Sequence, residues 1–123
     1  MSGLTPSFTL TGPPNSTVTQ NGAVTMTVTS NSGYSVTVQA RTGSLTGATP
    51  GNTATIPIGS LQARESGSSL FQALSATSPL VVHQQAGPSA SGGDPVSNDY
   101  RVQIPALPSD TYSVTLDYIA ATQ

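Results

Sequence analysis

Between residues 23 and 30 apolar and polar side chains alternate without a break, with Val24, Met26 and Val28 on one face and Thr25, Thr27 and Thr29 on the other. A period of two is the mark of a strand with one buried face. The next run, Tyr34 to Ala40, keeps the same rhythm and predicts a second strand with Tyr34, Val36, Val38 and Ala40 turned inward. Asn31-Ser32-Gly33 between them has turn composition and predicts a hairpin. The end of the chain repeats the design. Tyr100, Val102 and Ile104 form one inward row, and Tyr112, Val114, Leu116, Tyr118 and Ala120 form another. The linker Pro105 to Asp110 carries prolines that stop the first of these strands and open a turn or corner.

Shorter apolar runs mark further strands at Phe8 and Leu10, Val18, Ile56 and Ile58, Leu61 and Ala63, Leu70 to Leu74, and Leu80 to Val82. Gly, Pro and Asn separate them at the spacing of a sandwich. No stretch holds a period of 3.6, so helix is confined to a turn around Gly59-Ser60-Leu61. Short connections impose antiparallel pairing. The expected fold is an all-β, single antiparallel immunoglobulin-like β-sandwich of about seven to nine strands in two facing sheets. Residues 15–123 would form the sandwich, and residues 1–14, through Pro13-Pro14, an N-terminal arm or edge strand. Residues 41–52 and 86–98 are rich in Gly and turn formers and are expected to be loops.

Composition narrows the function classes. Only 7% of the 123 residues are charged, Lys is absent, and Arg41, Arg64 and Arg101 face five acids. Such a chain cannot neutralise a row of phosphates, which argues against nucleic-acid binding. Thr and Ser, 18 of each, supply most of the polar surface. A neutral surface of this kind suits secreted or cell-surface proteins packed side by side, because low net charge leaves little self-repulsion. No apolar run approaches the ~20 residues of a membrane helix, so no membrane insertion is expected. Met1-Ser2-Gly3-Leu4 has no signal-peptide pattern, so an exported location implies a leader removed upstream. The absence of Cys excludes a disulfide framework and thiol catalysis.

Candidate chemistry is sparse. The single histidine, His83, lies in a strand-like run, where it is expected to face solvent or pack at an edge. There is no Gly-x-Ser-x-Gly elbow, and Gly67-Ser68-Ser69 is ordinary turn composition. The acids fall in turns or at outward strand positions, and Glu65 and Asp117 are not placed to face each other as a glycosidase pair. No enzymatic activity and no cofactor are expected. A weak calcium candidate is formed by Asp94, Asn98 and Asp99, hard oxygen donors in one glycine-containing segment, although Asp-Pro and Asn-Asp are also common turn pairs. Asn15-Ser16-Thr17 is a glycosylation sequon. The Thr pairs at 9/11, 17/19, 25/27/29 and 53/55 resemble an ice-binding array, yet Thr is also a good residue for any exposed strand face. Carbohydrate binding normally needs exposed aromatic platforms. This chain has no Trp, and its four tyrosines take inward parity.

The C-terminal strings Ser97-Asn98-Asp99-Tyr100-Arg101-Val102-Gln103-Ile104-Pro105 and Pro108-Ser109-Asp110-Thr111-Tyr112-Ser113-Val114-Thr115-Leu116-Asp117-Tyr118 carry a pattern of a strand ending in Pro followed by Thr-Tyr and Leu-x-Tyr. The pattern resembles secreted immunoglobulin-like β-sandwich surface domains of Gram-positive bacteria, actinobacteria in particular, and more loosely WxL-type wall domains, although the Trp-x-Leu signature is missing. The resemblance implies a surface or structural module with no catalytic residues to carry over. Filament-forming sandwiches of this kind also donate an N-terminal strand to a neighbour, a role for which Phe8, Thr9, Leu10 and Thr11 are the edge candidates. The expected function is a non-enzymatic extracellular structural or surface protein, a self-assembling fibre or coat subunit. Its partners are copies of itself or cell-wall components, held non-covalently because no Lys is available for isopeptide links. The alternative is a carbohydrate- or ice-binding module acting through loops 41–52 and 86–98 or the Thr-rich faces.

Overall fold

The alternation over Tyr34–Ala40 becomes a strand buried at every second residue, and Thr17–Val28 buries Val24, Met26 and Val28 in the same way. In the computed structural model, which describes residues 1–122, the strands in chain order are β1 (Thr17–Val28), β2 (Tyr34–Ala40), β3 (Ser44–Gly47) and β4 (Thr55–Pro57), then β5 (Leu61–Glu65), β6 (Gln72–Ala73) and β7 (Leu80–Gln85), and finally β8 (Asp94–Gln103), β9 (Tyr112–Ser113) and β10 (Leu116–Thr122). One 3-10 turn, Ile58–Ser60, precedes β5 at the place where the sequence predicts helical content.

All pairings are antiparallel. A four-stranded sheet runs β1-β8-β5-β6, a three-stranded sheet runs β10-β2-β7, and a small third sheet runs β4-β3-β9. The chain is thus an all-β antiparallel sandwich, with ten strands in three sheets among the described residues where seven to nine in two were expected. The extra sheet arises in the segment 41–52, expected to be loop. Leu45 there is only 8% exposed and pairs with Ile56, which supplies enough apolar burial for a short strand among turn-forming residues.

The core lies between the two larger sheets. Val24, Met26, Val28, Val96 and Tyr100 from one side meet Tyr34, Val36, Val38 and Val82 from the other. Asn31-Ser32-Gly33 is accordingly no hairpin: β1 pairs with β8, while β2 pairs with β10 and β7. The turn carries the chain from one sheet to the other, because two amphipathic strands bury both apolar faces by facing each other across the core. Pro105 to Asp110 also carries the chain between sheets, from β8 in the four-stranded sheet to β9 in the small third sheet. The predicted loop 86–98 ends early, as β8 begins at Asp94.

The N-terminal segment runs as an arm and not as an edge strand. Residues 3–13 form no strand, and Phe8, Thr9, Leu10 and Thr11 present no edge. Pro6, Pro13 and Pro14 remove backbone donors on both sides of this stretch. Phe8 and Leu10 instead pack against the protein's own core, and the Phe8 ring lies 4.6 Å from that of Tyr100. Ahead of them, Ser2 exchanges two backbone hydrogen bonds of 2.8 Å with Thr27, and the Thr5 N–H donates to the Thr25 carbonyl at 3.1 Å. The arm therefore runs along β1 and covers its outer side.

Candidate functional site

Hydrogen bonds gather three groups of polar residues, two of them between the large sheets and the third at the surface, where segment 41–52 meets Asp110. At one end, Glu65 closes β5 at a position opposite Asn98, which gives it inward parity. It reaches His83 on β7, with Glu65 Oε2 and His83 Nδ1 2.5 Å apart. His83 Nε2 lies 3.2 Å from the Tyr34 hydroxyl and 3.1 Å from Gln85 Oε1. The Tyr34 hydroxyl donates to Asp94 Oδ2 at 2.6 Å, and the Gln85 amide nitrogen donates to the Gly87 and Pro88 carbonyls. These last bonds fix the Gln85 amide with its oxygen toward the ring. Burial together with Asp94 pushes the Tyr34 hydroxyl up to about 12.

Deeper in, the Tyr100 and Tyr118 hydroxyls are 2.6 Å apart, and Tyr118 donates to Asn98 Oδ1 at 3.0 Å. Asn98 is fully buried and its amide donates to the Val82 carbonyl at 3.4 Å. Burial raises the Tyr100 hydroxyl to about 12, and raises Tyr118 as well, with the adjacent Tyr100 adding to the effect. At the opposite end, Asp110 accepts from Asn52 Nδ2, the Thr49 N–H and hydroxyl, and the Thr111 N–H, at 2.7 to 3.0 Å. This cradle pins the end of segment 41–52 and holds Asp110 down at about 2, chiefly through the Asn52 amide. Gly47 has no alternative there: a Cβ would lie 2.6 Å from Asp110 Oδ2 and 2.7 Å from Asn52 Nδ2.

The residues singled out from sequence are placed as follows. Asp94, Asn98 and Asp99 do not converge on one point. Along a strand rising ~3.4 Å per residue, Asp94 and Asn98 are about 13 Å apart, and Asn98 and Asp99 point to opposite faces. Each has a protein partner: Asp94 accepts from Tyr34 and the Ala90 N–H, Asn98 from Tyr118, and Asp99 from Ser66, Gly22 and Arg64. No cluster of three His, Cys, Asp or Glu able to hold a metal occurs among the described residues. His83 lies on the edge strand β7, where it is packed rather than facing solvent and bridges the two large sheets. Its partners are Glu65, Tyr34 and Gln85, so no Ser–His pair of hydrolase type involves it. The tyrosines take the inward parity expected, Tyr34 and Tyr100 buried and Tyr112 and Tyr118 packed on the core. The threonines form no single array: Thr9 and Thr11 lie outside the strands and Thr25 is bonded to Thr5.

Sequence reasoning missed two surface features. Phe71, read as part of a short strand over Leu70 to Leu74, lies on the outer side of the four-stranded sheet, with the Arg64 guanidinium 4.3 Å and that of Arg101 4.4 Å from its ring centre. The second is a free sheet edge. β1 is covered by Ser2 and Thr5; β6 and β9 have two residues each; β4 has three and ends in Pro57. β7 is bent by a bulge at Val82, where the pairing with β2 slips between Val36 and Thr37. β10 alone is long and regular, pairing with β2 in unbroken register over seven residues. It contains no Gly or Pro, and its one charge, Asp117, is met by Arg41 at 2.9 Å. No strand pairs with its other side among the described residues.

The outer face beside this edge carries two exposed large apolar side chains among polar ones. Register places Ile119, Thr37 and Val81 in one row across β10, β2 and β7, with Ile119 58% and Val81 51% exposed. Among the described residues, fold and surface define a β-sandwich with one long open strand edge, whose single charge is paired with Arg41. No protein-family model matches the chain, and no curated protein matches it either.

Proposed function

We propose that this protein is a non-enzymatic structural component of the cell exterior, whose work is to join copies of itself through sheet edges without covalent cross-links. The observation that carries the reading is β10, a seven-residue edge with no proline, bulge or covering segment and with a single charge, Asp117, that is paired with Arg41. Natural sheets blunt their edges with charges, prolines, bulges or covering segments. This chain uses a covering segment, a proline, a bulge and very short strands at its other edges and leaves β10 open. The composition agrees: 7% charged residues and no Lys leave little repulsion between neighbouring copies. The polar clusters support the same reading, since their groups are engaged in holding the sheets together.

The donated-strand version loses its support, because Phe8 and Leu10 already fill the protein's own core seam. The assembly edge moves from Phe8–Thr11 to β10. Size-exclusion chromatography with light scattering, beside negative-stain microscopy and a glycan array, tests the reading. A stable oligomer or ordered assembly is expected, and a monomer with saturable glycan binding contradicts it.

A further inference from the structure

Resting on the self-association reading, we infer that the partner of β10 is the β10 of a second copy, paired antiparallel about a two-fold axis at Ile119. An isologous contact of this kind closes as a dimer. The two three-stranded sheets then become one of six strands, β7-β2-β10 continued by the same three strands in reverse order.

Three observations select this register. Facing residues in an antiparallel pair lie on the same side of the sheet, so the axis must pass through a residue position. β10 spans Leu116–Thr122, and only an axis at Ile119 pairs all seven residues, Leu116 with Thr122, Asp117 with Ala121, and Tyr118 with Ala120 of the other copy. The second observation is the exposed row. With Ile119 facing Ile119, the rows Val81–Thr37–Ile119 of both copies join into one continuous row across six strands, with the two Ile119 side chains in contact at its centre, covering a residue that is 58% exposed in the single chain. The third is charge. This register faces Asp117 with Ala121 and keeps the two Asp117 carboxylates four positions apart, about 14 Å, beyond the ~8 Å over which physiological salt screens surface charges. An axis at Asp117 would instead set them directly opposite. The bulge at Val82 disfavours the other available arrangement, β10 against β7, which would propagate as an open fibre.

The chain contains no cysteine, so single cysteines introduced on the exposed face of β10 report the register directly. Facing residues have Cα atoms about 4.5–5.5 Å apart, within disulfide range. Ile119→Cys is expected to form a covalent dimer under mild oxidation, Ala121→Cys alone to form none, and an Asp117→Cys and Ala121→Cys mixture to form the mixed dimer. Ile119→Lys, which sets two cations opposite each other, is expected to weaken the dimer about tenfold or more. All these sites are at the surface, and unfolding scans of each variant establish that the fold is kept. An oligomer in which Ile119→Cys does not cross-link overturns the two-fold β10 pairing and leaves self-association standing. A wild-type protein that stays monomeric as its concentration is raised overturns both.

Discussion

Asp99 occupies an outward-facing position of β8, yet it is only 3% exposed. The cause is local to the neighbouring strand. Between Gln20, opposite Tyr100, and Val24, opposite Asn98, β1 inserts extra residues that fold over the carboxylate. Gly22, at φ 64°, points its N–H at Asp99 Oδ1 at 2.8 Å, while Ser66 donates at 2.6 Å and Arg64 at 2.9 Å. Burial pushes the Asp99 pKa up, but the Ser66 hydroxyl, the Gly22 N–H and Arg64 outweigh it and leave the pKa below the ordinary carboxylate value. Asp99→Ala leaves Arg64 without its carboxylate and is expected to cost about 2 kcal/mol in urea unfolding, discounted from a fully buried pair because Arg64 is partly exposed. Gly22→Ala forces a left-handed backbone on a residue with a Cβ and is expected to cost about 1 kcal/mol. The carboxylates also set the acid response. Asp110 falls from 3.8 to about 2 and Asp94, Asp99 and Asp117 are all lowered, so the folded state holds fewer protons than the unfolded chain in this window. Their stabilisation is complete above the ordinary carboxylate range and is lost as pH falls from about 4 toward 2. Unfolding midpoints measured across that window are expected to drop, and Asp110→Asn to flatten the drop.

Among the elements, parity was legible in the sequence and pairing was not. The inward rows Val24/Met26/Val28, Tyr34/Val36/Val38/Ala40 and Tyr100/Val102 are all buried or nearly so, because a two-residue period depends only on each strand having one dry face. Which strand lies beside which depends on long-range packing. The turn Asn31-Ser32-Gly33 has hairpin composition, yet it crosses between sheets. The polar clusters were hidden for the same reason: Glu65 and His83 are 18 positions apart and Tyr34 and Asp94 are 60 apart, and only the facing of the sheets brings them within bonding distance. The open edge at β10 was equally invisible, since an edge is defined by what fails to pair with it. The arm gives an element-scale prediction. Phe8 is half-buried against Tyr100, so deleting residues 1–12 is expected to lower the thermal unfolding midpoint while self-association through β10 persists. Loss of assembly with an unchanged midpoint would reinstate the arm as the contact.

At the scale of the whole molecule, the low charge, the covered or blunted edges and the open β10 point the same way. Docking carried by backbone hydrogen bonds and an apolar row has no counter-ions to release, so raising salt is expected to leave the oligomer unchanged by sedimentation velocity. The central claim is that β10 is the contact, and amide hydrogen exchange at increasing protein concentration tests it without altering the chain. The account predicts that protection within Leu116–Thr122 rises with concentration while that of β6 and β7 stays constant. Protection of β10 that is independent of concentration, or a rise confined to another edge, would contradict it.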